Sequence, residues 1–280
     1  MKTIQSKNIV SQIRQLCIDV NTQLAKDTYD KIKEMQSKET SNVGKHILDQ
    51  IIENADLAAE KRDPICQDTG MAVFFVELGQ EVIIEGQTLE ESINEGVRQG
   101  YKDGYLRKSV VKDPIRRENT NDNTPAIIYI ETKKGNQLKI KFAPKGFGSE
   151  NMSRLKMLKP ADGLEGVEAF VMETIEKAGP NPCPPIVIGV GIGGTMDKAC
   201  QIAKKALFRK TGQHSTDPYL SDLEKKWIKK INEMQIGPQG LGGDTTALAI
   251  HIETYPTHIA GLPVAVNINC HASRHGEITL

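Results

Sequence analysis

No stretch of this chain approaches the roughly 18 uninterrupted apolar residues of a membrane-spanning helix. The opening Met1-Lys2-Thr3-Ile4-Gln5 also lacks the apolar core of a signal peptide. Net charge is missing too. The 36 Lys and Arg balance 36 Asp and Glu, which leaves no field to recruit nucleic acid or an anionic membrane surface. Aromatics are scarce at 5%, yet 38% hydrophobic residues over 280 positions suffice for one large or two modest domains. The five cysteines are odd in number and widely spaced, which argues against a disulfide framework and for reduced thiols. No C-x-x-C pair of the kind that holds structural zinc occurs. There is no internal repeat and no low-complexity linker. These absences describe a soluble, cytoplasmic protein with neither nucleic-acid nor membrane partners.

What is present reads as mixed α and β. Residues 7–61 are helical by pattern, with Ile9, Ile13, Leu16, Cys17, Val20 and Leu24 at three- and four-residue steps and a second helix after Ser41-Asn42. Pro64 ends that region, and Ile65-Cys66-Gln67-Asp68-Thr69-Gly70 turns into a strand, 71–78. A strand at 81–85 and a helix at 88–104 follow. Alternation over 126–131 and 137–142 predicts a hairpin turning at Lys134-Gly135-Asn136. A glycine-broken turn, Lys145 to Asn151, precedes a helix over 163–178. After the strand that follows Cys183, the spacing predicts a helix over 195–209 with Met196, Ala199, Cys200, Ala203 and Leu207 inward. A polar helix within 212–240 and strands at 246–253 and 262–268 bring the chain to Asn269-Cys270-His271. The fold class is α+β: a helical part of about 1–63 and an α/β part of about 64–280 in a single domain, 1–280.

The thiols sort by context. Cys17 and Cys200 sit among Leu, Ile and Ala on apolar helix faces, as small core hydrophobes do. Cys66, Cys183 and Cys270 instead fall at element boundaries among glycine, proline and polar groups, where ligands tend to be placed. Prolines on both sides fix the backbone around Cys183. Three such thiols could complete a zinc site with His271 or His275. They could also hold an iron–sulfur cubane, which normally takes four thiolates. With three, one iron would be left open to act as a Lewis acid. A cluster serving only as scaffold or sensor is the non-catalytic alternative.

Two motifs mislead. Gly189-x-Gly191-x-x-Gly194 matches the dinucleotide fingerprint by letter, and a nucleotide-binding dehydrogenase is the reading it suggests. The following helix, however, runs into Arg209-Lys210-Thr211-Gly212 with no second parallel strand expected, and the glycines suit backbone packed against whatever Cys183 holds. Asp68-Thr69-Gly70 matches an aspartic-protease triplet, but Asp244-Thr245-Thr246 is no equivalent partner for a shared proton.

Taken together, Pro64 to Gly70, Gly148-Ser149-Glu150-Asn151, Asn181 to Pro185 with Gly191 to Thr195, and Gly242 to His275 resemble the class I fumarases and L-tartrate dehydratases. The likeness is to the α subunit of the two-subunit form and spans nearly the whole chain. It implies a [4Fe-4S] cluster held by Cys66, Cys183 and Cys270, with cluster-binding loops at strand ends. In single-chain members a further domain follows the third cysteine motif. Here the chain stops at Leu280, so a separate β subunit carrying that domain is expected, in an α2β2-type hetero-oligomer active only as such.

The activity so implied is reversible hydration of fumarate to (S)-malate, with L(+)-tartrate dehydration as the alternative. Removing a weakly acidic C–H and expelling hydroxide both call for positive charge near oxygen, which an open iron supplies. The two substrate carboxylates, ionised at neutral pH, need cationic or N–H partners. By resemblance, Asp68 exchanges a proton at the hydroxyl side, and Gln67, Arg107, Gly146, Gly148 and His258 bind substrate. Phe147 replaces a glycine expected in the Gly146-Phe147-Gly148 turn, which opens the question of which N–H there faces substrate. Arg116 and Arg117 read as solvated and His251 as structural. The base for the carbon proton is expected from the β subunit.

Overall fold

The spacing of Ile9, Ile13, Leu16, Cys17 and Val20 predicts one buried helical stripe, and in the computed structural model, which describes residues 1–280, all five are buried. The elements run β1 (Lys2–Gln5), α1 (Ser6–Thr22), α2 (Lys26–Lys38), α3 (Asn42–Lys61), β2 (Met71–Gly79), β3 (Val82–Glu85), α4 (Leu89–Asp103), β4 (Ile127–Lys133) and β5 (Leu138–Lys145). They continue with α5 (Phe147–Glu150), β6 (Arg154–Leu158), α6 (Gly163–Ala178), β7 (Ile186–Gly193), α7 (Met196–Ala206), α8 (Pro218–Asn232), β8 (Ala247–Tyr255), β9 (Leu262–Asn269) and β10 (Gly276–Thr279). The fold is α+β, and no helix is long and apolar enough to cross a membrane.

The chain divides into two compact units built from non-adjacent stretches. The first comprises Met1–Ala25, Asn54–Phe147 and Arg274–Leu280; the second comprises Lys26–Glu53 and Gly148–Ser273. The N-terminal helices are therefore shared between the units.

In the first unit α1 and α4 cover one face of a four-stranded sheet ordered β10-β5-β2-β4. A capping box starts α4: the Thr88 hydroxyl accepts the Glu91 N–H, and the Glu91 carboxylate accepts the Thr88 N–H. Phe74 of β2 stands opposite Phe142 of β5, and their rings stack at 4.9 Å in the core. Truncating Phe74 to Ala would cost about 3–5 kcal/mol.

The expected hairpin does not form. β4 and β5 both pair with β2, which lies between them, β4 parallel and β5 antiparallel. The run Ala72-Val73-Phe74-Phe75-Val76 is buried throughout, so β2 needs a neighbour on each side. The segment 134–137 arches across the end of β2, where Gly79 N–H donates to the Gln137 carbonyl at 2.9 Å. Three short strands, β1, β6 and β10, also escaped pattern reading, being four or five residues long and largely polar or exposed.

The second unit holds a sheet ordered β6-β9-β7-β8, with α6 and α8 packed on one face around Trp227 and α7 on the other. Here β8 is a parallel neighbour of β7, reached through α7 and α8, so a second parallel strand does follow the glycine run. The connection is too long for the dinucleotide fold, because β8 begins more than fifty residues after β7 ends. The glycines serve helix packing: a Cβ on Gly189 or Gly191 would lie 2.1 Å from the Ala203 or Ala199 carbonyl of α7. Gly189 and Gly191 thus make room for α7, and Gly193 for the Tyr255 backbone.

The inward face of α7 differs from expectation at two of five positions. Ala199, Ile202, Ala203 and Ala206 are buried, whereas Cys200 is exposed and Met196 is 58% exposed. Small alanines set the contact because the glycine strand lets the helix backbone come so close.

Candidate active site

Cys66 sits in the first unit on the loop between α3 and β2, and side chains, most of them buried, hold that loop from several directions. The Ile65 N–H donates to the Asn21 carbonyl at the end of α1, an acceptor the helix itself cannot satisfy. The Ile65 carbonyl accepts from Asn54 Nδ2 at 2.9 Å and the Asp68 carbonyl from Arg274 Nη2 at 2.7 Å. The Thr69 carbonyl accepts from the Tyr101 hydroxyl at 2.6 Å, and the Gly70 carbonyl from Asn123 Nδ2 at 3.2 Å. Burial pushes the Tyr101 phenol far above its ordinary range, so it remains a donor. Gly70 lies in the left-handed region at φ +73°, and a Cβ there would stand 2.7 Å from the Lys145 backbone nitrogen. Only glycine lets the loop lie against the end of β5.

This cage orients Asp68. Its Oδ1 accepts the Gly70 N–H at 3.0 Å, and its Oδ2 accepts the Phe147 N–H at 2.9 Å. The N–H of Phe147 is therefore directed at Asp68. Gly146 leaves room beside the carboxylate, since an added Cβ would stand 3.2 Å from Oδ2. The Asp68 N–H points to Cys66 Sγ at 3.4 Å. The Cys66 thiol lies 3.8 Å from Gln67 Oε1. Thr69 Oγ1 ties the loop to the Arg107 carbonyl at 3.1 Å, and the Arg107 side chain is exposed. Buried Lys145 donates to the Gly146 carbonyl at 3.3 Å. Cys66, Gln67, Asp68, Arg107 and Gly146 are thus gathered around one loop.

Sheet register does the equivalent work in the second unit. β7 and β9 are antiparallel with Val187 opposite Asn269, so Cys183 before β7 and Cys270 after β9 emerge at the same sheet end. The loops are joined there: the His271 N–H donates to the Cys183 carbonyl at 3.3 Å. Gln239 clamps the next carbonyl, donating to Pro184 from its backbone N–H at 2.8 Å and from Nε2 at 3.0 Å. Cys183 itself adopts φ +53°, a left-handed conformation that costs a non-glycine residue on the order of 1 kcal/mol. Such an outlier between two prolines marks a position held for use. Gly148 belongs to this unit too, near the Asn181 carbonyl two residues before Cys183.

His258 is not brought there. It follows β8, whose parallel register with β7 puts it at the opposite end of the sheet, where Thr257 Oγ1 holds the Gly194 carbonyl. The eight residues of β7 separate the two ends by roughly 25 Å. His258 is exposed and its Nδ1 accepts the Ala260 N–H. His251 is structural as expected: it is buried, its Nδ1 lies 3.1 Å from the Ala206 carbonyl, and burial lowers its pKa to about 4.

The thiols differ in chemistry as well as place. Cys17 is fully buried, and desolvation pushes its pKa far up, so it is no ligand. Cys66 and Cys270 are half-buried, and Cys183 and Cys200 are exposed. Neither unit alone gathers three His, Cys, Asp or Glu side chains into a metal site. Within the second unit the Cys183 and Cys270 loops are joined at one sheet end, and within the first the Cys66 sulfur receives the Asp68 N–H; thiols so placed are of the donor type that holds iron–sulfur clusters. The Asn54, Tyr101, Asn123 and Arg274 cage escaped sequence reading: Tyr101, Asn123 and Arg274 lie 32, 53 and 206 residues from their partners, and Asn54 sits on the preceding helix.

A carboxylate held beside a thiol and two cysteines at one sheet end are the features that comparison with known proteins can place. The profile of the family described as Fumarate hydratase (Fumerase) matches residues 10–279. A Methanocaldococcus jannaschii protein, provisionally named L(+)-tartrate dehydratase subunit alpha, is 46% identical over 257 residues, covering 90% of each chain. The L(+)-tartrate dehydratase subunit alpha of Escherichia coli is 32% identical over 262 residues, covering 92% of this chain and 86% of its own. A protein of the same name from Shigella sonnei matches to the same extent. The chain belongs to the fumarate hydratase family and is an enzyme of the hydro-lyase class.

Proposed function

We propose that this chain, with residues 1–280 working as one catalytic domain, is the α subunit of a [4Fe-4S]-dependent hydro-lyase that interconverts fumarate and (S)-malate. The observation that carries this reading is the Asp68 carboxylate, oriented by the Gly70 and Phe147 N–H groups two residues from the accessible Cys66. Cys66 of the first unit and Cys183 and Cys270 of the second are the ligands in this reading. When bound, the cluster supplies an open, Lewis-acidic iron that polarises the substrate hydroxyl.

The remaining chemistry falls to side chains. In dehydration one proton leaves carbon and the hydroxyl departs as water, so a second proton must reach its oxygen. Asp68 gives that proton and takes it back in hydration, using a lone pair not engaged by the two backbone donors. Gln67 contacts the hydroxyl or carboxylate, and exposed Arg107 holds a substrate carboxylate as a charge-assisted partner. Gly146 and Gly148 line the turn on either side of the N–H that fixes Asp68. His258, at the far sheet end, has no part in this reading. The base for the carbon proton and the remaining carboxylate ligands belong to a β subunit, in keeping with the relatives' designation as subunit alpha. Balanced charge and accessible thiols suit the reducing cytoplasm.

The relatives' names favour a second reading, L(+)-tartrate dehydration. Anaerobic co-purification with the β partner, followed by iron and sulfide counts and assays on malate and tartrate, tests both. About four irons per pair and malate turnover are expected. Turnover of tartrate alone would transfer the assignment to the second reading. A cluster spectrum indifferent to both substrates would leave a scaffold or sensor.

A further inference from the structure

We propose that Arg274 is the positioning residue of the Cys66–Asp68 loop and sets the placement of the Asp68 carboxylate by gripping that residue's own carbonyl. The inference rests on the hydro-lyase reading above but concerns a residue outside the substrate and cluster contacts assigned there.

Arg274 is 3% exposed, a depth at which a guanidinium persists only if it is paired. Its partners are neutral. Nη1 donates to Asn21 Oδ1 at 2.9 Å and Nη2 donates to the Asp68 carbonyl at 2.7 Å, while buried Nε has no acceptor. No carboxylate forms a salt bridge with it. A stability-driven core would replace such a group with an apolar side chain at little cost. Burying a cation for the sake of one loop carbonyl is an arrangement that serves placement.

The geometry shows what is placed. Asn21 is fixed in turn by donating Nδ2 to the Cys17 carbonyl within α1, and its own carbonyl accepts the Ile65 N–H. Arg274 thus spans from a helix end that holds the start of the loop to the carbonyl at its chemical end. The short, charge-assisted bond at Asp68 sets the Asp68–Thr69 peptide plane. That peptide leads directly to the Gly70 N–H on which Oδ1 rests. If the carbonyl is released, the carboxylate loses its fixed direction while both its backbone donors remain available. Misplacing a catalytic group by about 1 Å can cost about 100-fold in rate, and supporting contacts of this kind are typically worth about 10–100-fold.

Arg274→Met and Arg274→Lys, assayed in the complex with β, test the proposal, with Arg209→Met as a control that breaks a partly buried ion pair with Glu224 in the second unit. Arg274→Met is expected to keep its iron and to lose about 10–100-fold in kcat with KM changed by less than about threefold. Lys, which retains one charged donor, should recover part of that loss, and Arg209→Met should melt earlier yet turn over normally per folded molecule. Asn21→Ala loosens Arg274 without altering it, and should fall between wild type and Met if Arg274→Met does not fold. Amide exchange across residues 65–70 provides a readout independent of turnover: at least about tenfold faster in the Arg274 variant, unchanged in the Arg209 control. Wild-type exchange in that segment, or a kcat loss no larger than the control's, would overturn the positioning role. If the wild-type complex is inactive while exchange responds as described, the hydro-lyase reading fails and the loop-positioning inference stands.

Discussion

The two units place reactive groups at the end of a sheet by opposite means. In the first, the Cys66 loop owes its shape to side-chain donors drawn from α3, α4, the 123 loop and the C-terminal segment, and to a carbonyl acceptor at the end of α1. In the second, antiparallel register brings Cys183 and Cys270 to the same end, and backbone bonds with one glutamine secure them. The difference shows what each mechanism is good for. Register sets two loops side by side without spending side chains, but it cannot aim a carboxylate. A polar cage can, at the cost of burying groups that must all be satisfied.

The largest effect expected from breaking this comparison is loss of iron. Cys66→Ala, Cys183→Ala or Cys270→Ala should each abolish cluster content and activity, whereas Cys17→Ala and Cys200→Ala should retain both, read by anaerobic iron counting. Next comes Asp68→Asn, which removes the proton exchange and leaves one of the Gly70 and Phe147 N–H groups facing an amide NH2. It should lower kcat by about 100- to 10,000-fold with iron unchanged. An intact kcat there would remove Asp68 from the mechanism.

Stability effects separate the units further. Glu39 is buried in the second unit and accepts the N–H groups of Asp244, Thr245, Thr40 and Ser41. Glu39→Ala strands several of these donors at the entry to β8 and should cost about 3 kcal/mol, measured by denaturant unfolding of the only tryptophan, Trp227, which lies in that unit. Tyr101→Phe removes one hydroxyl from the first unit's cage and should cost about 1–2 kcal/mol with Trp227 unaffected in its own surroundings.

The smallest effect is in pH. Burial works against the Glu39 charge, but the backbone donors outweigh it and hold the carboxyl below its ordinary value. That stabilisation is present above the unfolded carboxylate value of about 4.3 and is lost as pH falls below it. Buried His251 is kept neutral, with its pKa at about 4, so the unfolded chain binds its proton first. Its contribution is complete above about 6.5 and is lost as pH falls from there toward about 4. Melting followed at Trp227 should therefore weaken from mildly acid pH downward, and His251→Gln should flatten the upper part of that slope.

Much of the candidate site was legible in the chain. Proline and glycine bracketing marked the Cys66 and Cys183 loops, because those residues restrict or free the backbone wherever they occur. The periodic stripes of α1, α4 and α6 emerged for the same local reason. The errors arose where a neighbour decides. The 126–142 alternation looked like a hairpin until β2 inserted itself, and Cys200 looked buried until the glycines of β7 drew alanines into the contact. The position of His258, a sheet's length from the cysteine pair of the same unit, was likewise not contained in its motif.

What the amino-acid order determined by itself was most of the longer helices and strands, the burial of Cys17, and the membership of Asp68 in a thiol-bearing turn. These follow from local backbone preference and side-chain solvation, which act within a few residues. Only the tertiary structure decided which strands are neighbours, which cysteines share a sheet end, and that Arg274 and Tyr101 hold a loop 206 and 32 residues away. Hydrogen bonds and packing across such separations depend on where distant segments come to rest, and no local preference specifies that.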